Sequence, residues 1–207
     1  MLGLGGTDPA RYLYGLALPD SLLEASPQRL DGGRTPALQG TLAIASYVTP
    51  GIYGDRGIVI RRNDTEFSVY NYREWKMDLG DHLALFTQNI LWHHPLTAEP
   101  AIFDPPSRRA QTYLWRATVR EFEEVDRPDG VFVAVRIDAA LVRIANDSII
   151  WSGSARSERQ VGPTKTEDMN VVIRGMSEAA SEIILRLVLA AESAVSRGPA
   201  VRAQSSP

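Results

Sequence analysis

The side chains that could do chemistry are few. They are three histidines (His82, His93 and His94), a Ser152-Gly153-Ser154 triplet, and the acidic run Glu121, Glu123, Glu124, Asp126 and Asp129. His82 and His93 return to nearly the same helical face, but eleven residues of rise separate them by about 16 Å, too far to share one ion. His93 and His94 are adjacent and point apart, and His82 is placed to pair with Asp78 one turn earlier on the surface. Zinc-type spacings are therefore absent, and no metal or cofactor is expected. The serine triplet lacks the G-x-S-x-G order and the following helix of a nucleophile elbow, so it reads as a small-residue patch in a strand. Paired carboxylates do acid–base work only in a water-poor cleft. Here they lie among turn residues, which predicts a solvated hairpin end. The leader glycines Gly3, Gly5 and Gly6 fail the G-x-G-x-x-G pattern, because Asp8 stands at the third position and no strand precedes them. With no cysteine in the chain, thiol catalysis and disulfides are also excluded. The expectation is a protein that is not an enzyme.

One segment is rich in a different chemistry. Tyr70, Tyr72 and Trp75 are interleaved with Asn71, Arg73, Glu74 and Lys76. Aromatics with polar handles suit interfaces, where one end is dry and the other wet. They bury their area equally well in a core, in which case Trp75 would staple the following helix and Tyr72 would close the sheet edge.

The elements that must hold these residues follow from pattern. In 207 residues, 22 basic and 25 acidic side chains give a net charge of −3. That size suits one domain, and that charge does not suit a nucleic-acid binder. The most apolar stretch, Ile183 to Ala191, is interrupted by Arg186, so nothing resembles a membrane span. Strands are predicted at Arg11–Leu18 and Thr41–Val48, followed by a hairpin of 57–61 and 66–70 turning through Asn63-Asp64. Leu79, Leu83, Phe86 and Ile90 line a helix with Asp78 at its start and Pro95 past its end. Strands at 113–122, 131–141 and 149–159 then form a meander. Within it Tyr113, Trp115, Ala117 and Val119 share one face, and Leu114 through Phe122 at even positions share the other. A closing helix is marked by Met169, Val172, Met176, Ala180, Ile183, Leu187 and Ala191, with Asp168 or Thr166 as cap. The triplets at Asn63 and Asn146 match a glycosylation pattern but also make good turns, which is the reading taken here. The fold class expected is α+β, two-layered, a mixed or antiparallel sheet with two helices packed on one face. Residues 1–11 read as a flexible leader, 12–195 as a single domain and 196–207 as a disordered tail.

The stretch Gly54-Asp55-Arg56-Gly57-Ile58-Val59-Ile60-Arg61-Arg62, then Glu66-Phe67, then Tyr70-Asn71-Tyr72-Arg73-Glu74-Trp75, resembles the ABC-type transport auxiliary lipoprotein family. That family serves lipid-transport systems of the paraquat-inducible (Pqi) kind. Its pattern there is an R-P-x-I-V-x-R strand, a turn, a Y-x-x-x-x-W and an amphipathic helix. The resemblance extends through Tyr113-Leu114, the meander with Trp151 and the helix beginning near Asp168, about residues 12 to 190. Gly57 stands where the family often has Pro, Glu74 where Arg is frequent, and the Pro-rich loop 98–110 diverges.

What the resemblance implies is a non-catalytic periplasmic lipoprotein anchored at the outer membrane. It would dock the transport machinery through a periplasmic protein carrying mammalian-cell-entry (MCE) domains, beside a permease and an ATPase. Ring-like self-association also occurs among such proteins. The N-terminus shows no basic-then-apolar signal, and the family's lipid-bearing cysteine is missing. The expectation is that Met1 replaces that cysteine and that Leu2 to Pro9 form the tether. On this reading Arg61, Tyr70, Tyr72 and Trp75 form the partner surface. The alternative reading is a direct lipid carrier with an apolar cavity between sheet and helices.

Overall fold

Three long strands carry the strongest alternation in the chain and form the centre of the molecule. They are β6 (Tyr113–Arg127), β7 (Gly130–Arg143) and β8 (Ser148–Gly162), an antiparallel meander. In this computed structural model the described residues are 10–20, 36–63, 65–107, 110–163 and 168–197. Val131, Val133, Val135, Ile137, Ala139 and Leu141 are all buried, as their period-2 spacing requires. The β6–β7 turn closes at Gly130, whose φ of 150° lies where L side chains are rarely found.

The alternation of β6 breaks once. The register runs from Val119↔Ile137 to Glu121↔Arg136, so Arg120 is an extra residue in a β-bulge. Past the bulge the faces exchange. Phe122, expected on the outer face with Arg116 and Arg120, pairs with Val135 and is buried on the helix side. The same exchange carries Glu124 inward, paired with Val133. The acidic run is accordingly no solvated hairpin end: Glu123 and Glu124 are 1% and 0% exposed.

One edge of β6 is lined by a single interrupted strand running parallel to it. β2 (Leu42–Ile44) pairs with Tyr113–Trp115, Val48 bridges to Thr118, and β3 (Gly57–Arg61) pairs with Glu123–Val125. A 3-10 turn at Gly51–Gly54 fills the interruption. β5 (Ile102–Phe103) lies parallel to β2, and β4 (Phe67–Trp75) pairs antiparallel with β3. β1 (Tyr12–Tyr14) adds in parallel to the end of β4. The eight-stranded sheet is therefore mixed. The strand expected over Arg11–Leu18 stops at Tyr14, because the next amide groups bond to side chains instead of a strand. The Leu16 N–H donates to His82 and the Ala17 N–H to Ser177.

Both predicted helices are present. α1 (Leu79–His93) buries Leu79, Leu83, Phe86 and Ile90, and α2 (Met169–Ser196) buries its whole predicted stripe. Asp168 caps α2 by accepting the Asn170 N–H at 3.0 Å, whereas Asp78 sits at the start of α1 without a capping bond. α2 packs on β7 and β8, closely enough that a Cβ on Gly175 would lie 2.3 Å from Val161 Cγ1. Arg159 and Ser157 of β8 reach Glu178 and Glu182 of α2 at 2.5 to 3.1 Å, fixing the helix along its strand. The expected leader lies outside the described residues except for Ala10 and Arg11, and so does the expected tail beyond Arg197.

Candidate partner-docking edge

The bulge in β6 is what brings the candidate residues into contact. Glu123, on the outer face, lies across from Val59 on β3, which also holds Arg61 two residues on. Arg61 Nε donates to Glu123 Oε1 at 2.6 Å, and the Tyr53 hydroxyl from the 3-10 turn donates to the other carboxylate oxygen. Burying a carboxylate without partners costs several kcal/mol, and the bonds from Arg61 and Tyr53 offset that cost for Glu123. Burial, then the bond to Glu123, holds the Tyr53 hydroxyl above its ordinary range.

On the inner face the Tyr70 hydroxyl donates to Glu124 Oε2 at 2.9 Å, and the Arg73 guanidinium lies 4.8 Å over the Tyr70 ring. Burial, then the neighbouring Glu124 charge, pushes the Tyr70 hydroxyl up as well. Arg61 and Tyr70 thus turn toward buried carboxylates on opposite faces of the sheet, and both stabilise the domain.

Trp75 does not belong to a surface. It is 1% exposed and packs edge-on against Phe122 at 5.6 Å and His82 at 6.2 Å. Arg56 donates twice to the Trp75 carbonyl, at 2.8 and 3.1 Å, locking the end of β4 to the start of β3. Of its two readings, the staple is the one its burial supports. His82 likewise departs from expectation. It is 5% exposed, and its Nε2 accepts the Leu16 N–H at 3.0 Å; toward Asp78 its residue makes just the ordinary helical backbone bond. Burial and the nearby Lys76 charge push its pKa down to about 4.

Tyr72 is the candidate that faces solvent, at 46% exposure, and it has company that sequence reasoning missed. Tyr12 and Leu13 on β1 and Phe67 and Val69 on β4 are also exposed. An open groove of about 480 Å³ is lined by Ala10, Tyr12, Tyr70, Asn71, Tyr72 and Arg73. β1 covers β4 no further than Arg73–Trp75. Among the described residues no strand pairs with the far side of β4 from Phe67 to Tyr72. Alternation at Phe67 and Val69 was the available signal, but it marks two faces without saying which meets water.

This arrangement can recognise; its polar groups are engaged with one another. Among the described residues no three His, Cys, Asp or Glu side chains converge as a metal site. Nor is any helix there long and apolar enough to cross a membrane.

No family model matches the chain, and neither does any curated protein. Solved structures do share its fold. Protein XCC0632 from Xanthomonas campestris, assigned to family DUF330, superposes with a TM-score of 0.69 at 15% identity, covering 90% of this chain and 98% of that one. An uncharacterised protein superposes at 0.60 with 13% identity, covering 91% and 98%. A lipoprotein from Caulobacter crescentus matches more weakly, at 0.41 with 16% identity, covering 56% and 82%.

Proposed function

We propose that this domain is the non-catalytic auxiliary lipoprotein of an ABC/MCE-type lipid transport system. On this reading it sits in the periplasm, held at the outer membrane, and grips an MCE-domain protein through the side of β4 that no described strand covers. The observation that carries the docking role is the backbone edge from Phe67 to Tyr72, which no other described strand covers, with exposed Tyr12, Leu13, Phe67, Val69 and Tyr72 around it. Long unpaired edges with apolar side chains are normally covered or blunted with charge, because they template pairing with another chain. A partner strand laid along β4 would satisfy that backbone and bury the aromatics, a common mode of peptide recognition. The system and the membrane assignment rest on the sequence resemblance; the fold shared with XCC0632 is compatible with them and adds the architecture.

The space between sheet and α2 is occupied by side chains such as Val133, Ile137, Met176 and Ile183, all fully buried, so no observation favours the lipid-carrier reading. The test is titration of the full chain against the MCE-domain protein. Replacing Phe67 and Tyr72 together with Ser should weaken binding at least about tenfold, as loss of interface aromatics commonly does, and leave the unfolding midpoint nearly unchanged. Unchanged binding by that variant would remove the edge from the reading.

A further inference from the structure

The outward face of the meander carries a second feature that the docking edge does not use. An open groove of about 540 Å³ is lined by Val48, Arg116, Thr118, Arg136, Asp138, Ser152 and Ser154, with the backbone and small side chains of β6–β8 as its floor. Register explains the assembly. Arg116, Ala140 and Ser152 form one row across the three strands, and Thr118, Asp138 and Ser154 form the next. Val48, bridged to Thr118, makes an apolar wall.

The charges in this groove are unevenly spent. The Ser154 hydroxyl bonds to Asp138 and Arg120 donates to it at 2.6 Å, so the one carboxylate on the lining is matched. Arg116 and Arg136 are exposed, and among the described residues neither donates a side-chain hydrogen bond, although the Arg136 charge is felt by Asp138. Counting Arg116, Arg120 and Arg136 against Asp138 leaves 3 − 1 = +2 at this place, in a chain whose net charge is −3. Two long guanidiniums and the hydroxyls of Thr118 and Ser152 offer more donors than the two oxygens of a carboxylate can use. They suit the three or four oxygens of a phosphate, which arginine recognises in a bidentate manner.

We propose that this groove binds a phosphate group, with Arg116 and Arg136 clasping its oxygens and the hydroxyls of Thr118 and Ser152 completing the site. The inference is independent of the docking edge and stands if that edge has no partner. A lipid headgroup and a soluble phosphate share this chemistry, and the experiment separates them.

The full chain is sedimented with phosphatidylcholine vesicles with and without phosphatidylglycerol, and in parallel titrated calorimetrically with inorganic phosphate and glycerol phosphate. Binding to the phosphatidylglycerol vesicles alone assigns the groove to a headgroup, and binding to the soluble phosphates assigns it to a free ligand. In either case Arg116→Ala with Arg136→Ala should reduce affinity about tenfold or more, the scale of losing charge-assisted hydrogen bonds. Arg186→Ala on α2 should leave it unchanged. Ser152→Glu, which keeps both arginines and adds a negative charge to an exposed position, should weaken binding as well. No binding to any of the four probes, or equal binding by the arginine variants, would overturn the proposal.

Discussion

The Nε2 atom of His82 accepts the backbone N–H of Leu16 at 3.0 Å, tying the segment after β1 to the first turn of α1. This bond needs a neutral imidazole, and burial together with Lys76 holds the ring neutral down to about pH 4. In the unfolded chain the same ring takes its proton near its ordinary value of about 6.5. Between those two values the unfolded state binds the extra proton, so stability falls as the pH is lowered through that window, by up to about 3 kcal/mol. Denaturant midpoints measured from pH 7 to pH 4 should show this loss. His82→Gln, which can still accept the Leu16 N–H but does not titrate, should flatten the curve relative to the natural chain. Parallel curves for the two proteins would mean that His82 does not govern acid stability.

Arg61 and Glu123 are bonded at 2.6 Å with both side chains largely buried. Removing one partner of such a pair strands the other charge, at a cost of about 3–5 kcal/mol, whereas replacing both with apolar groups is far less damaging. Arg61→Met alone should therefore lower urea stability more than Arg61→Met with Glu123→Leu. If the double variant is the less stable of the two, Tyr53 and the surrounding backbone are sustaining Glu123 without help from the arginine.

Neither relationship was legible in the sequence, whereas the periodic elements around them were. A helical stripe such as Leu79, Leu83, Phe86 and Ile90 repeats over several turns, and every one of those residues is buried. The meander was legible for the same reason, since Val131 through Leu141 sustain one period. The bulge at Arg120 carries no Gly or Pro to announce it, yet it turns Phe122 and Glu124 to the helix side. Once that face exchange is missed, the carboxylates look solvated, and Tyr53, Arg61 and Tyr70 lose their reason to be where they are. Their partners lie 70, 62 and 54 residues away in the chain, beyond the reach of local pattern. Trp75 was ambiguous between core and surface because an aromatic gains from burial in both.

Gly175 tests how closely α2 lies on the sheet. Alanine normally strengthens a helix relative to glycine by about 1 kcal/mol. Here its Cβ would stand 2.3 Å from Val161 Cγ1 and 3.3 Å from Val133 Cγ2, and overpacking of that kind costs about 1–3 kcal/mol. Gly175→Ala should thus lower the melting temperature despite the better helix former. Adding Val161→Ala should restore part of it by opening the space. A Gly175→Ala variant more stable than the natural chain would show that α2 can lift from the sheet at little cost.

Tyr70 and Tyr72 lie two residues apart on β4 and should separate cleanly in experiment. The Tyr70 hydroxyl is hydrogen-bonded to buried Glu124, so Tyr70→Phe removes a donor from a charged acceptor that water cannot easily reach. A loss of about 1–3 kcal/mol in urea unfolding is expected. Tyr72 has no such attachment and is nearly half exposed, so Tyr72→Phe should leave stability within about 0.5 kcal/mol, the range of ordinary surface changes. Val69→Lys, on the same open stretch, places a charge where an incoming strand would lie and should block its addition without unfolding the domain. Binding measured beside stability then distinguishes the roles. Loss of partner binding in Val69→Lys with an unchanged unfolding midpoint fits a docking edge, whereas a matching drop in both would return this part of β4 to the core.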